Sequence, residues 1–357
     1  MHIDILLGHF LKLSYKKYVS LMEFFGNPEI LWSATQNDLR EARVDETFIH
    51  EFLEWRAKVN PDILQKVLDK ENITAIPISS DNYPALLKQI YDPPLCLFVR
   101  GTLKQAELPL AIVGTRKNSP YGKQVAEELV QGLVRAGVTI VSGLALGIDG
   151  IVHQATLKQN GITWAVLGTG IDNAHIYPRA HFGLATQIIE HGGAIISEYP
   201  PNFTVGGKYT FARRNRIIAG LSRGTLVIEA PQSSGSLITA HSALDANREV
   251  FAVPQNITAV NASGPHTLIK MGAHIVTTAN DILRVFGMCI KDTNSAKIVA
   301  GSPTEAALLA CLSREPTSID SIIKASKLES HTVLSTLTLM EIKGMVKNLG
   351  AMAYILG

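Results

Sequence analysis

The residues best equipped for chemistry lie between Lys208 and Arg223. Lys208, Arg213, Arg214, Arg216 and Arg223 put five cations there with no acid among them, and Phe211 sets an aromatic ring between the lysine and the arginines. Guanidinium groups grip phosphate oxygens in bidentate fashion, and a neighbouring ring offers a face on which any base stacks. Asn215, between Arg214 and Arg216, adds an amide. Together they are the means of holding a single nucleic-acid strand irrespective of its sequence. The competing reading is a solvated charged face, the usual fate of a charge run.

Four further segments follow apolar runs that read as strands. Gly114-Thr115-Arg116-Lys117-Asn118-Ser119-Pro120-Tyr121-Gly122-Lys123 frames a helix start with glycines, hydroxyls and cations, where backbone N–H groups and the helix dipole favour a phosphate. Ser142-Gly143-Leu144-Ala145-Leu146-Gly147-Ile148-Asp149 lets backbone approach a ligand closely, and Asp149 reads as a helix-opening carboxylate rather than a catalytic one. Gly168-Thr169-Gly170 begins like a dinucleotide fingerprint but lacks the third glycine and does not follow the first strand. Ser234-Gly235-Ser236 is either a helix cap or a second set of amides for phosphate.

The elements that must position these loops are short, continuous apolar runs: Leu110–Val113, Thr139–Val141, Thr163–Leu167, Ala194–Ile196, Thr225–Ile228, Val250–Val253 and His274–Val276. Helix-compatible stretches such as Gly122–Ala136, His181–His191 and Ser236–Asn247 separate most of them. This rhythm predicts βαβ units and a parallel sheet covered on both faces, whose ligands sit beyond the carboxyl ends of the strands. Residues 1–74 read as an all-α bundle broken at Gly26-Asn27-Pro28 and Asn60-Pro61, and 75–288 as the sheet domain, led in by a proline-spaced connecting stretch from Ile76 to Leu108. After a polar linker, Lys291 to Lys297, residues 300–357 show three helices and a hairpin turning at Gly350, the order of a winged helix. The expected architecture is α/β: an extended Rossmann-like sheet with an all-α N-terminal domain and a small winged-helix-like C-terminal domain.

Composition narrows the function. The 357 residues carry a net charge of +2, so nucleic-acid binding would require cations gathered in one place rather than overall basicity. No apolar run is long enough for a membrane helix, and the N-terminal stretch lacks a basic region and a cleavage site, which points to a cytoplasmic protein with no membrane partner. The three cysteines, Cys96, Cys289 and Cys311, stand singly, so neither a metal site nor a disulfide framework is expected. Walker A, GxSxG and HExxH patterns are absent, and His153 beside Asp149 has no nucleophile. The sequence therefore points to no catalytic residue and no cofactor.

Ala111-Ile112-Val113-Gly114-Thr115-Arg116, Ser142 through Asp149 with His153, Arg214-Asn215-Arg216-Ile217-Ile218-Ala219-Gly220-Leu221-Ser222, and Glu229-Ala230 with Ser234 through Ala240 together resemble the DNA-processing protein A family (DprA/Smf). Tyr83-Pro84-Ala85-Leu86-Leu87 with Asp92-Pro93-Pro94 is similar to the family's lead-in, and the flanks resemble sterile-alpha-motif and winged-helix domains. The resemblance implies a homodimer that grips single-stranded DNA, loads RecA onto it and displaces single-strand-binding protein during natural transformation. Carried over, Gly114, Thr115 and Arg116 would hold a phosphate and Lys208 would meet the DNA backbone. Phe211 would stack on a base, and Arg213, Arg214, Asn215 and Arg216 would form the cationic track. Ser142, Gly143, Ser234, Gly235 and Ser236 would close the pocket. Pro254-Gln255 stands where the family more often has Pro-Gly, and Leu146 where many members carry arginine.

The alternative is a phosphoribohydrolase acting on nucleoside monophosphates, on a related fold with a Pro-Gly-Gly-x-Gly-Thr-x-x-Glu loop. The corresponding Pro231-Gln232-Ser233-Ser234-Gly235-Ser236-Leu237-Ile238-Thr239 lacks the glycine pair and ends in threonine, against hydrolysis. A winged-helix regulator is a third reading. The expected third tail helix, Ser330 to Met340, has no lysine or arginine to read a groove, which favours a protein-contacting or accessory role.

Overall fold

The computed structural model describes residues 1–104, 106–204, 207–288, 300–313, 316–350 and 352–356. It divides into two compact units, Met1–Ile290 and Lys291–Gly357. Cys289 and the linker expected from Lys291 to Lys297 lie outside the described residues.

The first unit is built on a nine-stranded sheet: β1 (Thr74–Pro77), β2 (Cys96–Gly101), β3 (Pro109–Val113), β4 (Thr139–Ser142), β5 (Thr163–Leu167), β6 (Ala194–Ser197), β7 (Gly224–Val227), β8 (Glu249–Ala252) and β9 (His274–Ile275). Their order is β1-β2-β6-β5-β4-β3-β7-β8-β9. The run from β6 to β9 is parallel throughout, as the apolar runs predict. β1 and β2 add an antiparallel edge that the proline-spaced lead-in concealed. Those prolines rule out long helix but not strand: Pro77 ends β1, and Cys96–Val99 after Pro93-Pro94 are fully buried.

β3 shows why the strands are apolar without alternation. Leu110 and Ile112 join one core with Val130 and Leu133 of the helix Pro120–Arg135. Ala111 and Val113 face the other core, with Ile217 and Ile218 of the helix Lys208–Gly220. Successive side chains point to opposite faces, and both faces are covered. The connections run from β3 to β6 on one side and from β7 to β9 on the other, so the switch in strand order falls between β3 and β7.

The N-terminal bundle starts its helices where the sequence breaks. Asn27 and Asn60 accept backbone N–H groups as N-caps, each followed by proline at the first helical position. Phe10, Phe48, Phe52 and Trp55 form its aromatic centre. Buried Asp4 joins bundle to sheet domain, accepting from Tyr18 Oη at 3.1 Å and from Ser79 Oγ.

The second unit has the expected order: helices Pro303–Ala310, Ile319–Ser326 and Ser330–Ile342, then a hairpin, β11 (Val346–Asn348) and β12 (Ala353–Leu356). β12 also pairs with a short strand, β10 (Thr317–Ser318). Leu308, Ile322, Val333, Leu337 and Met340 fill its core. Among the described residues, no helix is long and apolar enough to cross a membrane.

Candidate nucleic-acid interface

The loops after β3 and β7 meet at the switch point, where an open sheet of this topology parts its connections and leaves a crevice. Thr115 N donates to the Glu229 carbonyl at 2.7 Å, and Ile148 N donates to the Thr115 carbonyl at 3.2 Å. Gly114 has no room for a side chain: a β-carbon there would lie 2.6 Å from Ile148. This packing leaves Arg116 exposed beyond the strand end, with its guanidinium carbon 5.8 Å from the centroid of the Phe211 ring. Such a placement is a cation–π contact. The half-buried Phe211 also meets exposed Tyr177, ring centroids 5.4 Å apart. Gly168 packs beneath Phe211, where a β-carbon would come within 3.0 Å of the ring. Among the described residues, Arg116 has no carboxylate partner.

The helix N-terminus that the sequence offers to a phosphate is already occupied. Ser119 caps the helix Pro120–Arg135, its Oγ accepting from Gly122 N at 3.0 Å. Its own N–H and hydroxyl donate to the buried Glu229 carboxylate at 2.8 Å and 2.5 Å, and Asn261 Nδ2 donates to it at 3.3 Å. A side chain at Gly122 would collide with that carboxylate. The chain thus supplies its own anion at this point.

The arginine run lies within the helix Lys208–Gly220 rather than ahead of a helix, so the turn of about 100° per residue separates its members. Lys208 opens the helix, and its side chain lies outside the described residues. Arg214 points inward: it is 4% exposed, donates through Nη1 to the Gly143 carbonyl at 2.7 Å and also reaches the Val166 carbonyl. Burial lowers its pKa to about 10, with the buried Asp149 pulling the other way. Burial raises the Asp149 pKa, opposed by Arg214 and by backbone N–H groups including that of Gly143. Asp149 is therefore the helix-opening carboxylate the sequence suggested, now with a buried counter-ion. Asn215, also buried, donates to the Gly235 carbonyl at 3.0 Å and ties the helix to the loop after β7.

Arg213 and Arg216 share another face and meet two acids. Arg213 lies 3.6 Å from both Asp92 and Glu198; Arg216 lies 3.5 Å from Asp92 and is paired with Glu198. Burial works to lower the Arg213 pKa, but Glu198 and Asp92 outweigh it and raise it. Four groups of balanced charge make no cationic track. The structure thus brings Arg116 and Phe211 together, places Arg214 and Asn215 beneath them as supports, and neutralises Arg213 and Arg216 elsewhere.

The remaining loop residues also act from within. Ser142 turns its hydroxyl to the Ile112 carbonyl at 2.7 Å, and Thr115 Oγ1 accepts from Lys117 N at 3.2 Å. Ser234 caps the helix Gly235–Asp245, its Oγ accepting from Ser236 N at 3.3 Å and meeting Ser236 Oγ at 2.7 Å. Gly235 is exposed, with open space where a β-carbon would stand. Sequence reasoning missed Asp92, Glu198 and Glu229 as partners; only Tyr177, an aromatic beside Pro178 and Arg179, left a readable signal. His153 bonds Thr163 Oγ1 at 2.7 Å and is wholly buried in the core. Among the described residues, no group of three or more metal-ligating side chains is placed to hold an ion.

Known proteins resemble much of this chain. The family model for DNA recombination-mediator protein A matches residues 74–287, and that for the DprA winged helix domain matches residues 293–352. Protein Smf of Escherichia coli (strain K12) is 47% identical over 217 residues, 60% of this chain and 57% of that protein, so the match spans little more than half of its length. The X-ray structure of DNA processing protein A from Streptococcus pneumoniae superposes with a TM-score of 0.61 at 38% identity, covering 70% of this chain and 85% of that one. DNA processing protein A from Helicobacter pylori, described for its single-stranded DNA binding mode, gives a TM-score of 0.53 at 29% identity, covering 60% and 95%. With its sheet domain and its winged helix both matched, the chain belongs to the DNA recombination-mediator protein A family.

Proposed function

We propose that this protein is a non-catalytic recombination mediator that binds single-stranded DNA at the carboxyl end of its sheet, delivers it to RecA and displaces single-strand-binding protein during natural transformation. The observation that carries the reading is the Arg116–Phe211 pair, an exposed cation with no carboxylate partner among the described residues, over a half-buried ring at the switch point. It joins a phosphate contact to a stacking platform, the combination that sequence-tolerant single-strand binding requires. The Helicobacter pylori relative, described for binding single-stranded DNA, supports the same ligand.

In this reading Arg116 meets a phosphate, Phe211 and Tyr177 meet a base, and Lys208 adds a cation from the start of its helix. Gly114, Thr115, Ser142, Gly143, Arg214 and Asn215 hold those groups in place, and the Ser234-Gly235-Ser236 loop borders them. The protein works as a cytoplasmic homodimer without a cofactor, and the winged helix serves as a protein-contacting or accessory DNA module. Within the stretch Leu268 to Val276, Leu268 and Val276 are core, while Met271 and Ile275 are more than half exposed and offer a face for the second copy.

Fluorescence anisotropy of a labelled oligo-dT, with duplex competitor and a salt series, tests the proposal. Tight, salt-sensitive binding that duplex competes poorly is the expected result. No binding at low salt, or rapid release of adenine from AMP by the same protein, would overturn it.

A further inference from the structure

A recess lies beside the segment that follows Arg116. It is a cleft of ≈ 760 Å³ between the start of the helix Pro120–Arg135 and the segment after β8, lined by Ser119, Tyr121, Glu229, Pro254, Val260 and Asn261 among others. Its walls differ from those of a solvated groove. The Tyr121 ring is 47% exposed yet held in orientation, because its hydroxyl donates to the Pro254 carbonyl at 3.1 Å. Burial, with Glu229 nearby, raises the pKa of that phenol, so it remains a neutral donor at physiological pH. Ile257 and Val260, 87% and 81% exposed, stand on the segment after β8 with no core to enter. Gln255, the departure from the usual Pro-Gly, fixes this segment by donating through Nε2 to the Ile228 carbonyl at 2.7 Å.

The cleft adjoins the loop that carries Arg116. Asn261, on its wall, donates to the Lys117 carbonyl at 3.1 Å, and Lys117 directly follows Arg116. Lys117 and Lys123 are both exposed, and among the described residues neither is paired with a carboxylate. Inside the cleft the charge reverses, since Glu229 presents a buried carboxylate. A phosphate is repelled there, whereas a neutral flat group is not. The chemistry therefore separates the two halves of a nucleotide: lysines on the rim for the backbone, a fixed ring and apolar side chains within for the base.

We propose that the Tyr121–Val260 cleft is a second base-binding subsite, through which a single strand continues after the Arg116–Phe211 pocket. This rests on the single-strand reading above and extends it by one direction of travel and one further stacked base.

The test measures anisotropy with oligo-dT of increasing length for the unaltered protein, Tyr121→Ala and Val260→Glu. Val260 is too exposed for its replacement to disturb folding, so it backs up Tyr121, whose loss removes a hydrogen bond. In the unaltered protein, affinity should rise by a distinct step once the oligomer outgrows the first pocket. Both variants should bind the shortest oligomers normally and lose about tenfold on the longer ones, the scale of one missing base stack. Photocrosslinking of 4-thiothymidine oligomers should label peptides containing Tyr121 or Val260. Unchanged long-oligomer affinity in both variants, or crosslinks confined to the helix Lys208–Gly220, overturns the second subsite while leaving the first. Failure of the unaltered protein to bind any length removes both.

Discussion

A β-carbon on residue 143 would lie 2.5 Å from Nη2 of Arg214, so the glycine and the buried guanidinium occupy adjoining space that no larger pair fills. The Gly143 carbonyl is also one of the acceptors that guanidinium needs, at 2.7 Å, while the Gly143 N–H serves Asp149 at 3.1 Å. One residue thus serves two buried groups of opposite charge, and the turn after β4 is held against the helix Lys208–Gly220 by the Arg214–Gly143 hydrogen bond.

Gly143→Ala should destabilise the first unit by about 1–3 kcal/mol through overpacking. Arg214→Ala should cost more, on the order of 3–5 kcal/mol, because Asp149 is left buried without its counter-ion. Urea denaturation monitored by tryptophan fluorescence measures both. An Arg214→Ala protein as stable as the parent but weaker on DNA would return this residue to direct contact.

Arg116→Ala should weaken binding to every single-stranded sequence to a similar degree and reduce the salt slope by roughly one unit, as for one lost phosphate contact. Arg213→Ala should leave that slope unchanged, because Asp92 and Glu198 already balance the charge it carries. Slopes from titrations at several salt concentrations distinguish the two. An equal loss of slope in both variants would favour the continuous track suggested by the sequence.

Phe211→Ala should lose on the order of 1–3 kcal/mol of binding with little change in salt slope, since a stacked ring releases no counterions. Phe211→Trp should recover most of the loss. Recovery failing while the folded state is intact would assign the ring to packing against Gly168 alone.

His153 provides a pH signature of folding. Thr163 Oγ1 gives its own proton to the Ile140 carbonyl, so it accepts from His153 Nδ1. Burial holds the His153 pKa near 3, below its ordinary 6.5, with His181 and Arg214 pushing the same way. Between those values the unfolded chain takes up a proton that the folded chain refuses. Stability is therefore lost as pH falls from about 6.5 toward 3, at up to ~1.4 kcal/mol per pH unit from this group. The stability gap between parent and His153→Gln should narrow across pH 7 to 5 in urea titrations. A constant gap would show that His153 titrates normally.

The parallel sheet was legible because each central strand is a short, continuous apolar run, and Asn27-Pro28 and Asn60-Pro61 declared helix starts by their own chemistry. The edge formed by β1 and β2 was not, because prolines that exclude helix say nothing about pairing with a strand a hundred residues away. The candidate site was half legible. Gly114 to Arg116 and Phe211 carried their signal locally, in residue type and strand-end position. Arg213 and Arg216 did not: what decides whether an arginine is free is its counter-ion, and Asp92 and Glu198 reach it only through the fold. Glu229 was hidden for the same reason, since nothing beside it in sequence shows that it ends at the N-terminus of a helix opened by Ser119.

That carboxylate also closes one anion site from within. Where sheets of this topology hold a nucleotide, the helix after the first parallel strand ends on the ligand's phosphate. Here the place is filled by a tethered competitor whose local concentration no dissolved metabolite matches. On the proposed reading a free nucleotide would find this helix N-terminus already taken, whereas a strand held at several phosphates would not depend on it. On that reading the occupancy of the protein would follow the supply of single strands and the ionic strength rather than the nucleotide pool.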